Sequence, residues 1–139
     1  MVIKCIRGAI TADNNTIEDM RTSTLELFSE VVKRNNISEE NVAYVEFSVT
    51  KDLNAAYPAK FIRKDFGWSN TAFMCVQEMD VKDSLPMCIR VLVVYNCPES
   101  FEPEYVYLKG AKDLRSEEGQ KKTLSGDRVW NLVYDSSCV

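Results

Sequence analysis

A chain of 139 residues, 45% hydrophobic and 27% charged, is sized for one domain with one core and excludes wholesale disorder. Its net charge of −4 argues against a nucleic-acid partner, and no apolar run approaches the ~18 residues of a membrane span. Histidine is absent, which removes Ser–His–Asp and Cys–His chemistry, a histidine general base and most zinc hydrolase designs.

Residues 2–8 read as a strand; because Met1 leads straight into it, with Lys4 and Arg7 inside, no signal peptide is expected. Asp13, Asn14 and Asn15 mark a turn and Thr16 an N-cap. Ile17, Met20, Thr24, Leu27, Phe28 and Val31 then recur at helical spacing, which predicts an amphipathic helix over 17–35 ending near Asn35-Asn36. Ser38-Glu39-Glu40 looks like a capped single turn, and 42–49 like a strand of Val, Tyr and Phe in partial alternation. Pro58 suits the first turn of a helix running to about Asp65, with Gly67 just past its end. Lys60, Arg63 and Lys64 share one face of it, and Ala59, Ile62 and Phe66 another. Residues 71–76 predict a short strand and 87–95 a longer, more apolar one; Pro98 and Pro103 mark a loop, and 105–108 a last short strand. From Ser116 the chain turns polar, a mobile tail in which Trp130, Leu132, Val133 and Tyr134 could still dock. Five strands and two substantial helices without an internal repeat give a mixed α/β class, and a sheet or barrel this small is open to completion by neighbouring subunits.

Five cysteines, at 5, 75, 88, 97 and 138, form no CxxC spacing, so reduced thiols in the cytoplasm are expected rather than a disulfide framework or structural zinc. The most informative residue is Arg90, set in the run Cys88-Ile89-Arg90-Val91-Leu92-Val93-Val94-Tyr95, which is otherwise built for a buried strand. A guanidinium cannot shed its charge there and needs an anion or strong acceptors beside it. Arg7 repeats the pattern on the first strand. Two strand-borne arginines point to a pocket for a small anionic molecule. The residues alone leave blander readings open: an ion pair within the subunit for Arg90, a solvated turn acid for Glu78, a solvated basic face for Lys60 and Arg63, and a small core residue for Cys75.

Several spaced motifs occur in order: Arg7-Gly8-Ala9; Asp52-Leu53-Asn54-Ala55-Ala56-Tyr57-Pro58-Ala59-Lys60; Gly67-Trp68; Cys75-Val76-Gln77-Glu78-Met79-Asp80-Val81; Cys88-Ile89-Arg90-Val91; Val106-Tyr107-Leu108; and Leu114-Arg115. Over residues 3–115 this set resembles the AroH-type monofunctional chorismate mutases. The resemblance implies a chorismate mutase-like domain over residues 1–115, followed by the tail at 116–139. It implies a homotrimer of α/β subunits, each an α+β mixed sheet, around a pseudo-α/β-barrel core with active sites between subunits. The reaction implied is the Claisen rearrangement of chorismate to prephenate, on the route to phenylalanine and tyrosine, with no metal, cofactor or covalent intermediate.

By the same resemblance Arg90 is the cation at the ether oxygen and a carboxylate, and Arg7 and Tyr107 hold the side-chain carboxylate. Glu78 accepts from the ring hydroxyl and fixes the arginines, and Cys75 is a contact rather than a nucleophile. Tyr57, Ala59, Lys60 and Arg63 form the opposite wall from a neighbouring subunit. Phe73 and Met74 border the pocket, and Leu114 and Arg115 lie where the C-terminal segment closes over it. Met74 stands where a smaller polar residue is expected, Tyr57 where phenylalanine is more usual, and the 98–103 loop is about one residue short. Two other classes compete with the enzyme: a trimeric small-carboxylate binder on the same scaffold, and a structural trimer whose Arg7 and Arg90 are satisfied by protein carboxylates alone.

Overall fold

The structure, a computed structural model, describes residues 1–114; Arg115 and the expected tail, with Trp130 and Tyr134, lie outside the described residues. Five strands, β1 (Val2–Thr11), β2 (Val42–Val49), β3 (Phe73–Gln77), β4 (Cys88–Cys97) and β5 (Val106–Tyr107), form one mixed sheet in the order β3-β2-β4-β1-β5. β4 pairs antiparallel with both β1 and β2, while β3 and β5 add parallel edges. A long helix, α1 (Ile17–Asn35), covers one face of the sheet, and a single turn, α2 (Pro58–Phe61), lies in the β2–β3 connection.

The ends of α1 follow from local chemistry. Thr16 sits in extended geometry and its hydroxyl accepts the Asp19 N–H at 3.1 Å; Glu18 and Asp19 then occupy the positive first turn and Lys33 and Arg34 the negative last one. Asn36, in the left-handed region at φ 49°, returns its N–H to the carbonyls of Val32 and Lys33 and stops the helix. Met20, Thr24, Leu27, Phe28 and Val31 are buried against Ile6, Ile10, Val45, Phe47, Ile89, Val91 and Val93 of the sheet. Phe28 anchors an aromatic cluster, edge-on to Phe66 at 5.3 Å and to Trp68 at 5.0 Å. Ile17 departs from the expected apolar face: at the first helical position it projects past the sheet and is exposed.

The second helix keeps its expected span but not its type: after Phe61 it continues as a wider π-helix over Ile62–Phe66, which Gly67 ends at φ 83°. Phe61 and Phe66, five residues apart, share a face only in the wider turn, which lets both join the core beside the buried Ile62. Lys60, Arg63 and Lys64 stay exposed, as their spacing predicts.

β1 runs past Gly8 to Thr11 because Gly8, Ala9 and Ile10 find partners in Val91, Arg90 and Ile89 on β4, while Gly8 and Ala9 also pair Val106 and Tyr107 on β5. β5 is correspondingly only two residues long, and the Pro98–Pro103 loop runs up to it. Strand alternation gives the sheet a second face that α1 does not cover, with Ile3, Tyr44, Met74 and Val76 exposed on it beside Arg7, Glu46, Ser48, Arg90, Leu92 and Val94. Among the described residues no helix is long and apolar enough to cross a membrane.

Gly8 permits the close approach of β5. A Cβ there would lie 3.0 Å from the Val106 carbonyl oxygen, 3.0 Å from Leu27 Cδ1 and 3.2 Å from Val91 Cγ1. Gly8→Ala is therefore expected to lower unfolding free energy by about 1–3 kcal/mol through overpacking, read from urea denaturation; an unchanged midpoint would show that β5 can retreat at no cost.

Candidate active site

The uncovered face concentrates its polar groups at the centre of the sheet. Register places Tyr107, Ala9, Arg90, Ser48 and Val76 in one row across β5, β1, β4, β2 and β3, and Arg7, Leu92, Glu46 and Met74 in the next. A cleft of about 370 Å³ opens over these rows, lined by Arg7, Glu46, Ser48, Val76, Glu78, Arg90 and Leu92. Ala9, the small residue between Tyr107 and Arg90, is buried with Cys88 and Ala111, and Tyr107 packs against that cluster.

Arg90 projects from the middle strand with its side chain 11% exposed, and its Nη1 lies 3.1 Å from Oε2 of Glu78, itself 8% exposed. Glu78 is carried just past β3, where its own N–H donates to the Val49 carbonyl at 2.8 Å. Its Oε2 also accepts from Ser48 Oγ at 2.8 Å, and its Oε1 from the Met79 N–H at 3.0 Å. Burial alone would raise the carboxyl pKa. The bonds from Ser48, Arg90 and the Met79 N–H, together with the Arg90 charge, outweigh that and hold Glu78 below the ordinary carboxylate range. Glu78 is thus a fixed, ionised anion rather than a solvated turn acid.

Glu78 does not exhaust Arg90: its Nε is buried and has no hydrogen-bond partner among the described residues. Arg7 lines the same cleft and makes no ion pair or hydrogen bond among those residues. The cleft therefore holds two guanidinium groups whose donors exceed the protein acceptors around them. An oxyanion is what such donors bind.

The thiols nearby are quiet. Cys88, two residues before Arg90 on the same face, is pushed by burial up to about 11 despite the Arg90 charge. Burial also raises Cys75, against the opposing backbone bond at Ala59 and the charge of Arg63. Neither thiol is a thiolate at neutral pH. No group of His, Cys, Asp and Glu side chains among the described residues is arranged to hold a metal ion.

The other sequence-predicted residues lie apart from this cleft. Tyr57, Lys60 and Cys75 line a second one of about 490 Å³, formed by the 49–61 segment and β3, which shares Val76 with the first. Tyr57 is 71% exposed, while Ala59 is buried beside it in the core. The Arg63 guanidinium lies 6.0 Å from the centroid of the Phe73 ring, which stacks on Phe47, and Met74 stands exposed on the uncovered face. Tyr107 sits at the β5 end of the Arg90 row, and Leu114 packs behind it on the Ala9–Cys88–Ala111 cluster. Sequence reasoning missed Glu46 and Ser48. Alternation on β2 was the available signal, since it puts both on one face, but only the β2–β4 register shows that this face is Arg90's.

The Glu78–Arg90 pair has a testable pH signature. A carboxyl held low contributes stability that is fully present above its unfolded value near 4.5 and is lost as pH falls through the lower folded value. Glu78→Gln should therefore cost about 3 kcal/mol at neutral pH, because it leaves Arg90 buried without its counter-charge. The gap to the wild type should close in denaturation series taken below pH 4.5. A gap constant with pH would mean that the charge on Glu78 is not what stabilises the fold.

The geometry has close counterparts. The family model for chorismate mutase type I matches residues 3–118. The chain is 36% identical to the chorismate mutase AroH of Bacillus subtilis (strain 168) over 117 residues, covering 83% of this chain and 91% of that protein. It is 37% identical to the chorismate mutase AroH of Thermus thermophilus over 116 residues, covering 82% and 94%. In structure it is similar to a chorismate mutase from Clostridium thermocellum, with a TM-score of 0.76 at 41% identity over 80% of this chain and 99% of that one. With the match running through both arginine-bearing strands and the Glu78 turn, the chain belongs to the type I chorismate mutase family.

Proposed function

We propose that chorismate binds over the Arg7–Glu78–Arg90 cleft and is rearranged there to prephenate by electrostatic stabilisation and positioning alone. Family membership makes the chain a chorismate mutase, an isomerase of aromatic amino acid biosynthesis. The observation that carries the site assignment is Arg90: fixed by Glu78 through one nitrogen, it keeps a second buried donor without an acceptor.

Chorismate carries two carboxylates and a ring hydroxyl. As its ether bond lengthens, negative charge grows on the ether oxygen. Arg90 supplies the cation there and to a carboxylate, already oriented by Glu78 so that little reorganisation accompanies the reaction; one such donor is worth about 10²–10³ in rate. Arg7 and Tyr107 hold the side-chain carboxylate, and ionised Glu78 accepts the ring hydroxyl. Holding the enolpyruvyl chain folded over the ring supplies the rest, as orientation replaces a search through unreactive conformers. Nothing in the scheme needs a proton carrier, a thiolate or a metal.

Tyr57, Ala59, Lys60 and Arg63 belong to the opposite wall, given by a neighbouring subunit of a homotrimer, while Phe73 and Met74 border the pocket, Cys75 is a substrate contact and Leu114 lies where the C-terminal segment closes over it; Arg115, assigned beside Leu114, lies outside the described residues. Two features support this arrangement. The two clefts meet only at Val76, so one chain cannot close its own site, and the uncovered face presents Ile3, Tyr44, Met74 and Val76 to solvent. Free thiols at Cys5, Cys75, Cys88 and Cys97 support a reducing, cytoplasmic setting.

Arg90→Ala should reduce kcat for loss of chorismate absorbance by about 10³-fold or more while the far-UV spectrum and oligomer mass are kept; activity within about tenfold of wild type would remove Arg90 from its role. Arg90→Lys should cost nearly as much, because a point charge cannot serve Glu78 and substrate as the fork does. Light scattering should give a mass of three chains, and Met74→Glu, which charges the uncovered face, should lower it. A monomer with full activity would sink the shared-site arrangement.

A further inference from the structure

Tyr107 stands on the weakest element of the sheet. β5 has two residues, and its ladder to β1 consists of Gly8 with Val106 and Ala9 with Tyr107. Downstream the chain is tied again, by the Leu108 N–H to the Ala9 carbonyl at 2.9 Å and the Gly110 N–H to Thr11 Oγ1 at 3.0 Å. Upstream the tie comes from outside the sheet. Asn35, the last residue of α1, donates from Nδ2 to the Glu104 carbonyl at 2.9 Å, and its Oδ1 accepts the Glu104 N–H at 2.7 Å. The second Nδ2 hydrogen goes back to the Val31 carbonyl at 2.9 Å, inside the helix.

A side-chain amide that grips both backbone groups of one residue fixes the position and the rotation of that residue, as a strand partner would. Asn35 is 7% exposed and lies on the buried stripe of α1, where an aliphatic residue would suit the core better. A buried amide there is tolerable only because its two hydrogens and its oxygen are all engaged. α1 itself is rigidly seated on the sheet through Leu27, Phe28 and Val31. Its C-terminus is thus a fixed point from which residue 104, three positions before Tyr107, is held.

We propose that Asn35 is a positioning residue for substrate binding: through its two-point hold on Glu104 it sets where Tyr107 stands over the Ala9–Arg90 row. The inference rests on the reading of Tyr107 as a ligand of the side-chain carboxylate. Asn35 touches no substrate. Its effect falls on KM, because Tyr107 holds the substrate, while Arg90 and Glu78, tied to the middle of the sheet, keep kcat.

The test is steady-state kinetics on Asn35→Ala, Tyr107→Phe and the double variant, with melting temperatures alongside. Each single change should raise KM about fivefold with kcat within about twofold, and the double should match Tyr107→Phe alone, since both act through one contact. Asn35→Asp, which keeps the shape but sets an oxygen against the Glu104 carbonyl, should raise KM equally and serves if Asn35→Ala does not fold. Unchanged KM in the Asn35 variants beside a raised KM in Tyr107→Phe would overturn the inference alone. So would KM effects that multiply to about 25-fold in the double variant. An unchanged KM in Tyr107→Phe would overturn the reading of Tyr107 and the inference with it.

Discussion

A charge buried in the middle of a sheet needs its counter-charge within reach. Arg90 is placed on β4, between β1 and β2, where strand alternation turns every second residue away from the helix-covered core. Glu78 reaches it from the end of β3, two strands away in the sheet order, only because its N–H is hooked to Val49 on the intervening β2. Ser48, on that strand, fills the space between and donates to the same carboxylate oxygen. The pair therefore depends on the register of three strands at once. It also explains why the β3 edge is parallel to β2: only that direction delivers the residue after Gln77 at the Arg90 level of the sheet.

The two faces of the sheet do different physical work. The face under α1 is filled by Ile6, Ile10, Val45, Phe47, Ile89, Val91 and Val93 and supplies the hydrophobic stabilisation of the chain. The opposite face carries charge and unpaired donors at its centre and apolar side chains around them. A polar centre within an apolar surround supports the proposed shared site, since such a surround, once covered, excludes water and lowers the local dielectric around the charges.

Most of this architecture was legible because it is written in local patterns. The α1 span, its Thr16 cap and its Asn36 stop follow from spacing and capping chemistry, and the alternation in 88–95 already set Arg90 apart from Ile89 and Val91. What escaped was non-local. The extension of β1 through Gly8 to Thr11 depends on partners some 80 and 100 residues away in sequence, and a glycine usually marks a strand's end rather than its closest packing. The π-turn after Phe61 is selected by aromatic packing on Phe28, which the sequence of the turn does not encode. Arg90 and Glu78 were legible as types and through the resemblance to a family. That Arg90 would be paired within the chain, as the blander reading held, and still keep a donor in reserve was visible only in three dimensions.

The place of Arg90 also decides where this molecule can breathe. The amides of β4 are laddered on both sides, to β1 and β2, and sit over a core of fully buried side chains, so they belong among the last to exchange with solvent deuterium. Arg90, the cation proposed to act on the ether oxygen, is thus built into the slowest-opening part of the fold. β5, with its two-residue ladder, lies at the other end of that scale. On the proposed reading, entry and exit of a ligand fall to the rim of the cleft, and its charged floor stays in the part of the sheet that opens last.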